Sequence, residues 1–329
     1  MQITESIKGM AFAKANTLKV TEPLHLECGD TLQNVKIRYN TFGKLNATKT
    51  NVVWVFHALT ANSNPVEWWP GVVGEGEVIN PKDHFIICAN MLGSCYGTTG
   101  PTNSKFPLVT IKDMVKLHQI LSLHLGIEKI HLGIGGSMGG QQLLEWAVQE
   151  PELFENIVPL ATNAFHSPWG IAFNEAQRMA LDNIDPSKGL EAARAIAMLS
   201  YRHYNTFAKT QEDVDQRWDG FKASSYLQYQ GEKLRKRFST NSYYTLSKAM
   251  DSHHIGRHFG SAEAALKRIK SRALVIGIDT DILFPNNEQE FIAEHIMGGQ
   301  FIKIASDYGH DGFLTESVQI SDLLKGFLL

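Results

Sequence analysis

The stretch KIHLGIGGSMGGQQLLEW, Lys129–Trp146, decides the fold of this chain. Its first part, Ile130 to Ile134, is a short apolar run broken only by Gly133, which is typical of a buried strand. A glycine-rich turn follows, and the residues after it have helical periodicity. The pattern G-x-S-x-G between a strand and a helix is that of a nucleophile elbow, in which a sharp turn exposes a serine hydroxyl. The stretch therefore predicts Ser137 as a nucleophile.

The turn around Ser137 requires small neighbours, because a strained backbone leaves no room for a Cβ atom at close approach. Gly135, Gly139 and Gly140 meet that requirement. The helix that follows would direct its first amides at an oxyanion formed on Ser137. The pattern also allows a simpler interpretation, a glycine-rich turn in which Ser137 only caps the helix.

Composition limits the class of protein. The chain has 329 residues, of which 43% are hydrophobic and 20% charged, enough for one large α/β domain with an insertion or for two domains. The net charge of -3 provides no basic footprint for nucleic acid. No apolar run is long enough to span a membrane, and residues 1–16 lack the apolar core of a signal peptide. Three cysteines without metal-ligand spacing fit a reducing compartment. We expect a cytoplasmic protein that binds neither membrane nor nucleic acid and holds no metal.

Strand and helix patterns alternate through the first half of the chain. The segments LHLECGD and VKIRYNTFG, within residues 17–42, predict an antiparallel hairpin. Apolar runs predict strands at 51–57, 84–90, 130–134 and 156–161, with an amphipathic helix at 110–125. Alternation of this kind implies a parallel sheet, with 51–57 as a central strand buried on both faces.

The pattern changes between residues 163 and 260. No convincing strand is found there, but GLEAARAIAMLSY (189–201) and NSYYTLSKAMD (241–251) have helical character, and aromatic residues are frequent. We predict a helical lid at 163–260, inserted into a core made of 1–162 and 261–329. In the second part of the core we expect a strand at 272–278, a helix at 287–296, a strand at 301–304 and a last helix at 313–327.

A serine nucleophile needs a base, and the base needs a carboxylate to orient it. In a doubly wound sheet with a nucleophile elbow these partners follow later strands, the acid first and the histidine second. Asp281 follows the strand at 272–278, and His310 follows the strand at 301–304. We therefore predict Asp281 as the acid and His310 as the base. Asp279 is the reserve acid, and the alternative for either aspartate is a cap on the next helix.

Two further residues have two interpretations each. Asp311 adjoins His310 and either caps the terminal helix or holds a substrate ammonium at the rim of the site. Cys95 is a competing nucleophile in principle. Its position in a glycine-punctuated loop, away from any elbow, favours packing or pocket lining.

Taken together, these segments resemble the homoserine O-acetyltransferase family of α/β hydrolases over nearly the whole chain. The resemblance rests on HALT (57–60), CANMLGSCYGTTGP (88–101), IKDMV (111–115), GIGGSMGGQQLLEWA (133–147), NEAQR (174–178), GIDTDILFP (277–285) and GHD (309–311). It implies an α/β-hydrolase fold, a mostly parallel doubly wound sheet with an inserted helical lid. It also implies a triad of Ser137, Asp281 and His310, an oxyanion hole formed by the amides of Leu59 and Met138, and a homodimer formed through the lid.

In this family a lid arginine grips the substrate carboxylate, and Arg194 is the best match, with Tyr201 matching a nearby lid tyrosine. Positions 194, 198 and 201 share one helical face, which is compatible with that role. The alternative is an exposed Arg194 paired with Glu191, three residues before it. The segment between Arg178 and Gly189 is shorter than is common in the family.

The implied chemistry is a double displacement in methionine biosynthesis. Acetyl-CoA acylates Ser137, and L-homoserine then takes the acetyl group; no metal or bound cofactor is needed, since acetyl-CoA is a co-substrate. An esterase has the same triad, so hydrolysis remains an alternative. Serine as acceptor and succinyl-CoA as donor also remain open. A noncatalytic binding protein on this fold should have lost a triad member, and all three candidates are present.

Overall fold

The computed structural model describes residues 13–182 and 185–329. Most of its strands belong to one eight-stranded sheet, and two short strands pair outside it. In chain order the strands are β1 (Ala13–Lys19), β2 (Leu24–His25), β3 (Thr31–Leu32), β4 (Lys36–Phe42), β5 (Val52–Phe56), β6 (Phe85–Ala89), β7 (Ile130–Gly136), β8 (Phe154–Leu160), β9 (Arg272–Ile278) and β10 (Gln300–Ile304). Residues 1–12 lie outside the described residues. They include most of residues 1–16, where no signal peptide is predicted, and the beginning of the predicted α/β core at 1–162.

The spatial order of the large sheet is β1-β4-β6-β5-β7-β8-β9-β10. The six strands from β6 to β10 in this order run parallel, while β4 is antiparallel to β6 and β1 to β4. From β5 the chain passes to β6 on one side and then crosses to β7 on the other. The mostly parallel, doubly wound sheet is confirmed. Its direction of winding switches at β5, where ligands bind in such sheets, beyond the carboxyl ends of the strands.

Helices cover both faces of the sheet and fill the long segment between β8 and β9. They are α1 (Pro65–Trp68), α2 (Ile111–Leu125), α3 (Met138–Gln149), α4 (Pro168–Leu181), α5 (Pro186–Tyr201), α6 (Tyr204–Gln211), α7 (Lys222–Arg235), α8 (Thr240–Asp251), α9 (Ala262–Leu266), α10 (Asn286–His295), α11 (Gly312–Thr315) and α12 (Ser317–Leu328), with a 3-10 turn at Gly309–Asp311. Among the described helices, none combines the length and the apolar character needed to cross a membrane.

Strand β5 shows how the core is built. All five of its residues are buried, and alternate side chains enter two separate apolar layers, one on each face of the sheet. Trp54 packs edge-on against Trp146 of α3, with ring centroids 5.0 Å apart. On the other face Trp69 packs against Phe313, 6.4 Å between centroids. A strand buried on both faces needs an apolar run without alternation, which is the pattern the sequence has at 51–57.

The predicted hairpin within residues 17–42 is wrong in its pairing. Strand β4 pairs with β1, which lies further towards the N-terminus, in the register Lys14 with Thr41 and Leu18 with Ile37. The LHLECGD segment instead contributes to a separate two-residue hairpin of β2 and β3. Since β1 reads AKANTLK and lacks an apolar alternation, its pairing could not be predicted from hydrophobic pattern alone. The predicted last helix is also divided, with a break at Glu316 between α11 and α12.

Residues 163–260, here called the helical insertion, contain α4 to α8. Its two ends meet at an isolated antiparallel bridge between Phe165 and His254, flanked by backbone hydrogen bonds of 2.9 and 3.0 Å. Within 163–182 and 185–260 this bridge is the only β pairing, in agreement with the predicted helical character. The shortened segment around residues 183–184 lies outside the described residues.

A buried ion pair joins the first and last helices of the helical insertion. Arg178 on α4 lies 2.6 Å from the carboxylate of Asp251 on α8, and Asn174 donates to the same carboxylate at 2.8 Å. Arg178 also binds Glu175 on its own helix at 2.6 Å, so its buried guanidinium is held by one carboxylate from each helix. The NEAQR segment therefore has a structural role in this chain, because it fixes α4 against α8.

Candidate active site

Ser137 lies at the turn between β7 and α3, in a backbone conformation that L-residues rarely adopt. Its φ is 56° and its ψ is -128°, which confirms the predicted strained turn. Such strain costs roughly 1–3 kcal/mol and persists only where the surroundings enforce it. Ser137 occupies the N-cap position of α3, but its side chain makes no capping hydrogen bond, so capping does not explain why a serine stands here.

The glycines beside Ser137 are required by packing. A Cβ at Gly139 would lie 2.3 Å from the carbonyl oxygen of Phe56, and one at Gly135 would lie 2.7 Å from the backbone of Gly139. Neither contact is possible without moving the backbone. Glycine at these positions lets α3 approach the end of β5 closely, and this brings the elbow next to the loop that carries Leu59.

The structure brings His310 and Asp281 together beside the elbow. Nδ1 of His310 lies 2.7 Å from Oδ2 of Asp281, and both side chains are buried. The other carboxylate oxygen, Oδ1, accepts the amides of Leu283 and Phe284 at 2.8 and 2.9 Å. Both oxygens are therefore occupied and the carboxylate cannot rotate. Since a carboxylate only accepts, the neutral ring carries its proton on Nδ1 and leaves the lone pair of Nε2 free.

The reserve acid occupies a different position. Asp279 accepts the backbone amide of Ser306 at 2.9 Å and fixes the loop that follows β10. Of the two aspartates, Asp281 is the one in contact with His310. Cys95, the competing nucleophile, lies outside the site, because it does not line the cavity that contains Ser137. Burial raises the pKa of the Cys95 thiol, which disfavours the reactive thiolate.

A cavity of about 370 Å³ opens beside Ser137, with one wall from the core and the other from the helical insertion. Six of the eight predicted site residues line it: Leu59, Ser137, Arg194, Tyr201, His310 and Asp311. Of the other two, Asp281 contacts His310 from behind, and Met138 begins α3 directly after Ser137. Within the described residues the backbone amides of Leu59 and Met138 have no hydrogen-bond partner. They are therefore free to bind an oxyanion.

Arg194 extends into this cavity from α5. Its guanidinium lies 5.2 Å from the ring centroid of Tyr201, within the range of a cation–π interaction. The alternative pairing of Arg194 with Glu191 is wrong, because Glu191 binds Lys188 at 2.9 Å and Arg235 at 2.6 Å. Burial raises the pKa of the Tyr201 phenol, so its hydroxyl stays protonated at neutral pH.

Asp311 reaches the same cavity but already has a cationic neighbour. Its Oδ2 lies 2.9 Å from Nε of Arg202, and its side chain makes no helix-capping hydrogen bond. Burial raises the pKa of the Asp311 carboxyl, and the positive charges of Arg202 and Arg194 oppose that shift. The carboxylate therefore lies among cations at the edge of the cavity, opposite in charge to Arg194.

Sequence reasoning missed four residues in or next to the site. Lys233 and Arg237 line the cavity and come from the basic run EKLRKRF at 232–238. Lys233 belongs to the last turn of α7 and Arg237 to the turn that follows the helix, so the basic run itself was a usable signal. Arg202 became visible only through its contact with Asp311. The buried His57, which precedes the Leu59 loop, had no sequence signal beyond its position.

This chain is similar to proteins of known family and known structure. A family model described as alpha/beta hydrolase fold matches residues 51–317. A homoserine O-acetyltransferase of Cyclobacterium marinum is 49% identical over 327 residues, which cover 94% of this chain and 93% of that protein. The crystal structure of homoserine O-acetyltransferase from Staphylococcus aureus has a TM-score of 0.85 at 27% identity, with coverage of 96% of this chain and 95% of that one. The crystal structure of esterase E22 has a TM-score of 0.88 at 21% identity, with coverage of 96% and 100%, and shows the fold alone.

Proposed function

This chain belongs to the homoserine O-acetyltransferase family of α/β hydrolases, and we propose that its Ser137 carries the acetyl group from acetyl-CoA to the side-chain hydroxyl of L-homoserine. The activity is a step of methionine biosynthesis. The observation that carries the proposal is one cavity lined by Ser137, His310 and Arg194. It joins a nucleophile and a base to a cation that suits an amino-acid carboxylate.

In the first half-reaction His310 removes the proton of the Ser137 hydroxyl through Nε2, and Oγ attacks the thioester carbonyl carbon of acetyl-CoA. The carbonyl oxygen becomes an oxyanion and accepts the amides of Leu59 and Met138. The C–S bond then breaks, and the CoA sulfur leaves with the proton held by His310. Asp281 stabilises the imidazolium that exists between these two proton transfers.

In the second half-reaction the roles are reversed. The hydroxyl of L-homoserine gives its proton to His310 and attacks the acetyl carbon on Ser137. The oxyanion forms again in the same hole. When it collapses, the bond to Oγ breaks, and Ser137 recovers its proton from His310. No step uses a metal or a resident cofactor, since acetyl-CoA enters as a substrate and leaves as CoA.

The cavity charges suit these substrates. Lys233 and Arg237 add positive charge on the side of the helical insertion, complementary to the phosphates of CoA. Arg194 offers a bidentate fork for the homoserine carboxylate, and Asp311 an anion for its ammonium. An esterase needs neither contact.

We place the enzyme in the cytoplasm, where its three free thiols would remain reduced; cell fractionation with an antibody tests that location.

Replacement of Arg194 by alanine should separate the two half-reactions. Loss of a charge-assisted contact to the carboxylate should lower kcat/KM for homoserine by about 10- to 150-fold. Acetylation of Ser137 should proceed at its normal rate, because it takes place before the amino acid binds. Stopped-flow thiol release and intact-mass measurement of the acetyl-enzyme would report the two steps separately.

Arg235→Ala is the matched control for Arg194→Ala. Arg235 also belongs to the helical insertion and pairs with Glu191, but it does not line the cavity. Its loss should leave both half-reactions unchanged. Equal damage to acetylation and transfer in Arg194→Ala, or unchanged homoserine kinetics, would remove Arg194 as the carboxylate anchor.

We further propose that two copies associate through the helical insertion, which exposes several large apolar side chains. Met179 on α4 is 71% exposed and Leu199 on α5 is 53% exposed. Sedimentation should show a dimer at micromolar concentration. Met179→Glu should weaken association by about a hundredfold or more, because it buries an unpaired charge in the interface. The control is Leu123→Glu. Leu123 is 83% exposed and lies on α2, outside the helical insertion. A monomeric wild type, or equal effects of the two changes, would contradict the proposal.

The substrates are tested by measuring thiol release from acetyl- and succinyl-CoA with homoserine, serine or water as acceptor. We expect acetyl-CoA and homoserine to be the best pair, and homoserine to exceed serine by about 10- to 200-fold, the usual range for one methylene. Rapid thiol release without an amino-acid acceptor would identify an esterase. A preference for succinyl-CoA or for serine would leave the acyltransferase chemistry intact but change the substrate.

A further inference from the structure

The ring of His57 is buried between two backbone groups at the end of β5. Only 1% of the residue is exposed. Nδ1 lies 2.9 Å from the carbonyl oxygen of Ala58, and Nε2 lies 3.1 Å from the amide nitrogen of Met91. A carbonyl oxygen can only accept and a backbone amide can only donate. The ring therefore carries its single proton on Nδ1, and one neutral tautomer satisfies both nitrogens.

The partner of Nδ1 belongs to the peptide group that bears the Leu59 amide. The carbonyl of Ala58 and the N–H of Leu59 lie in one plane and, in a trans peptide, point in opposite directions. Whatever holds the carbonyl oxygen therefore sets the direction of the N–H. The Ala58 oxygen accepts a second hydrogen bond from the amide of Ala61 at 3.0 Å. The peptide is held from its carbonyl side, and its N–H belongs to a residue that lines the cavity beside Ser137.

We propose, on the basis of the function proposed above, that His57 is a positioning residue for the oxyanion hole. Its Nδ1–H holds the Ala58 carbonyl so that the Leu59 amide points at the oxyanion formed on Ser137. His57 touches neither substrate nor Ser137 in this role. It acts only through the peptide group between Ala58 and Leu59.

The surroundings keep His57 in the required state. Burial lowers the pKa of His57 to about 4, so the ring remains neutral at physiological pH. Gln142 on α3 donates to the carbonyl of His57 at 3.4 Å and to the carbonyl of Met138 at 3.2 Å. This side chain links the segment that carries the first oxyanion amide to the helix that carries the second. Buried polar contacts thus fix the position of the Leu59 amide relative to that of Met138.

Two amide substitutions separate the two hydrogen bonds of His57. The side-chain nitrogen of asparagine is as many bonds from Cβ as Nδ1, so His57→Asn can keep the bond to Ala58. The amide of glutamine reaches as far as Nε2, so His57→Gln can keep the bond to Met91 and loses the one to Ala58. We expect acetylation of Ser137 to be close to wild type in His57→Asn. In His57→Gln the acetylation of Ser137 should be about 10- to 100-fold slower. This loss is smaller than the loss of about 100- to 1000-fold caused by removing an oxyanion donor itself.

The measurement is the rate of acetyl incorporation into Ser137 by rapid mixing and intact mass, with the KM for acetyl-CoA and the melting temperature of each variant. The bound thioester carries no oxyanion, which develops only as Oγ attacks, so the KM should be unchanged while kcat falls. Equal rates in the two variants, or a rate that follows the melting temperature, would overturn the positioning role. If His57→Gln does not fold, a loss of tenfold or more in His57→Asn would also overturn it. A wild type that never acetylates Ser137 would instead refute the proposed function.

Discussion

Replacing Ser137 by alanine should abolish acetyl transfer and leave the fold intact. Ser137 is the one side chain at the elbow that can hold the acetyl group, and loss of a triad nucleophile lowers turnover by about a millionfold. The side chain makes no capping hydrogen bond, so its removal should cost the fold little. Turnover is measured as thiol release with saturating homoserine, and folding by circular dichroism and thermal melting.

The matched control is Ser242→Ala on α8. Ser242 is also buried, and its hydroxyl has no hydrogen-bond partner within the described residues. Its replacement should change neither turnover nor folding. Turnover of Ser137→Ala within tenfold of wild type, in a sample free of wild-type protein, would show that another group accepts the acetyl.

Replacing Asp281 by asparagine should lower turnover by about ten-thousandfold. The asparagine oxygen can still accept the amides of Leu283 and Phe284, so the loop should keep its shape. The amide nitrogen, however, takes the place of the oxygen that accepts from His310. The ring would then bind through Nδ1 as an acceptor and carry its proton on Nε2, where it cannot act as the base for Ser137.

Asp279→Asn is the internal control, two residues away in the same loop. Asp279 accepts the Ser306 amide through one oxygen, and asparagine can keep that bond. Turnover of Asp279→Asn should stay close to that of the wild type. The reverse ranking of the two variants would transfer the role of the acid to Asp279.

The elbow was predictable because its constraints are local. A buried strand, a glycine-rich turn and a helix follow one another within Lys129–Trp146, and the strained φ of Ser137 follows from that context. His310 and Asp281 were predictable as a pair, because parallel strands bring their carboxyl ends to one edge of the sheet. The choice between Asp281 and Asp279 was different. It depends on which carboxylate points at the ring, and only the contacts resolve that.

The failures concern contacts between distant segments. The pairing of β1 with β4 joins residues 17 (Lys19 with Lys36) to 29 (Ala13 with Phe42) positions apart, and the polar β1 has no pattern that would indicate its partner. Periodicity placed Arg194 on a helix but gave no information on how that helix sits against the sheet. The ion pair of Arg202 with Asp311 likewise joins the helical insertion to the His310 loop. His57 was missed because its contacts are to backbone atoms, which leave no residue pattern.

The central claim is that Ser137 carries the acetyl group, and the most direct test is to trap it. Wild-type enzyme is mixed with acetyl-CoA in the absence of an amino acid, quenched in acid within milliseconds to seconds, digested and mapped by mass spectrometry. We predict one acetyl group on the peptide that contains Ser137, lost again when homoserine is added before the quench. An acetyl group on Cys95, or turnover with no acetyl-enzyme under these conditions, would contradict the account.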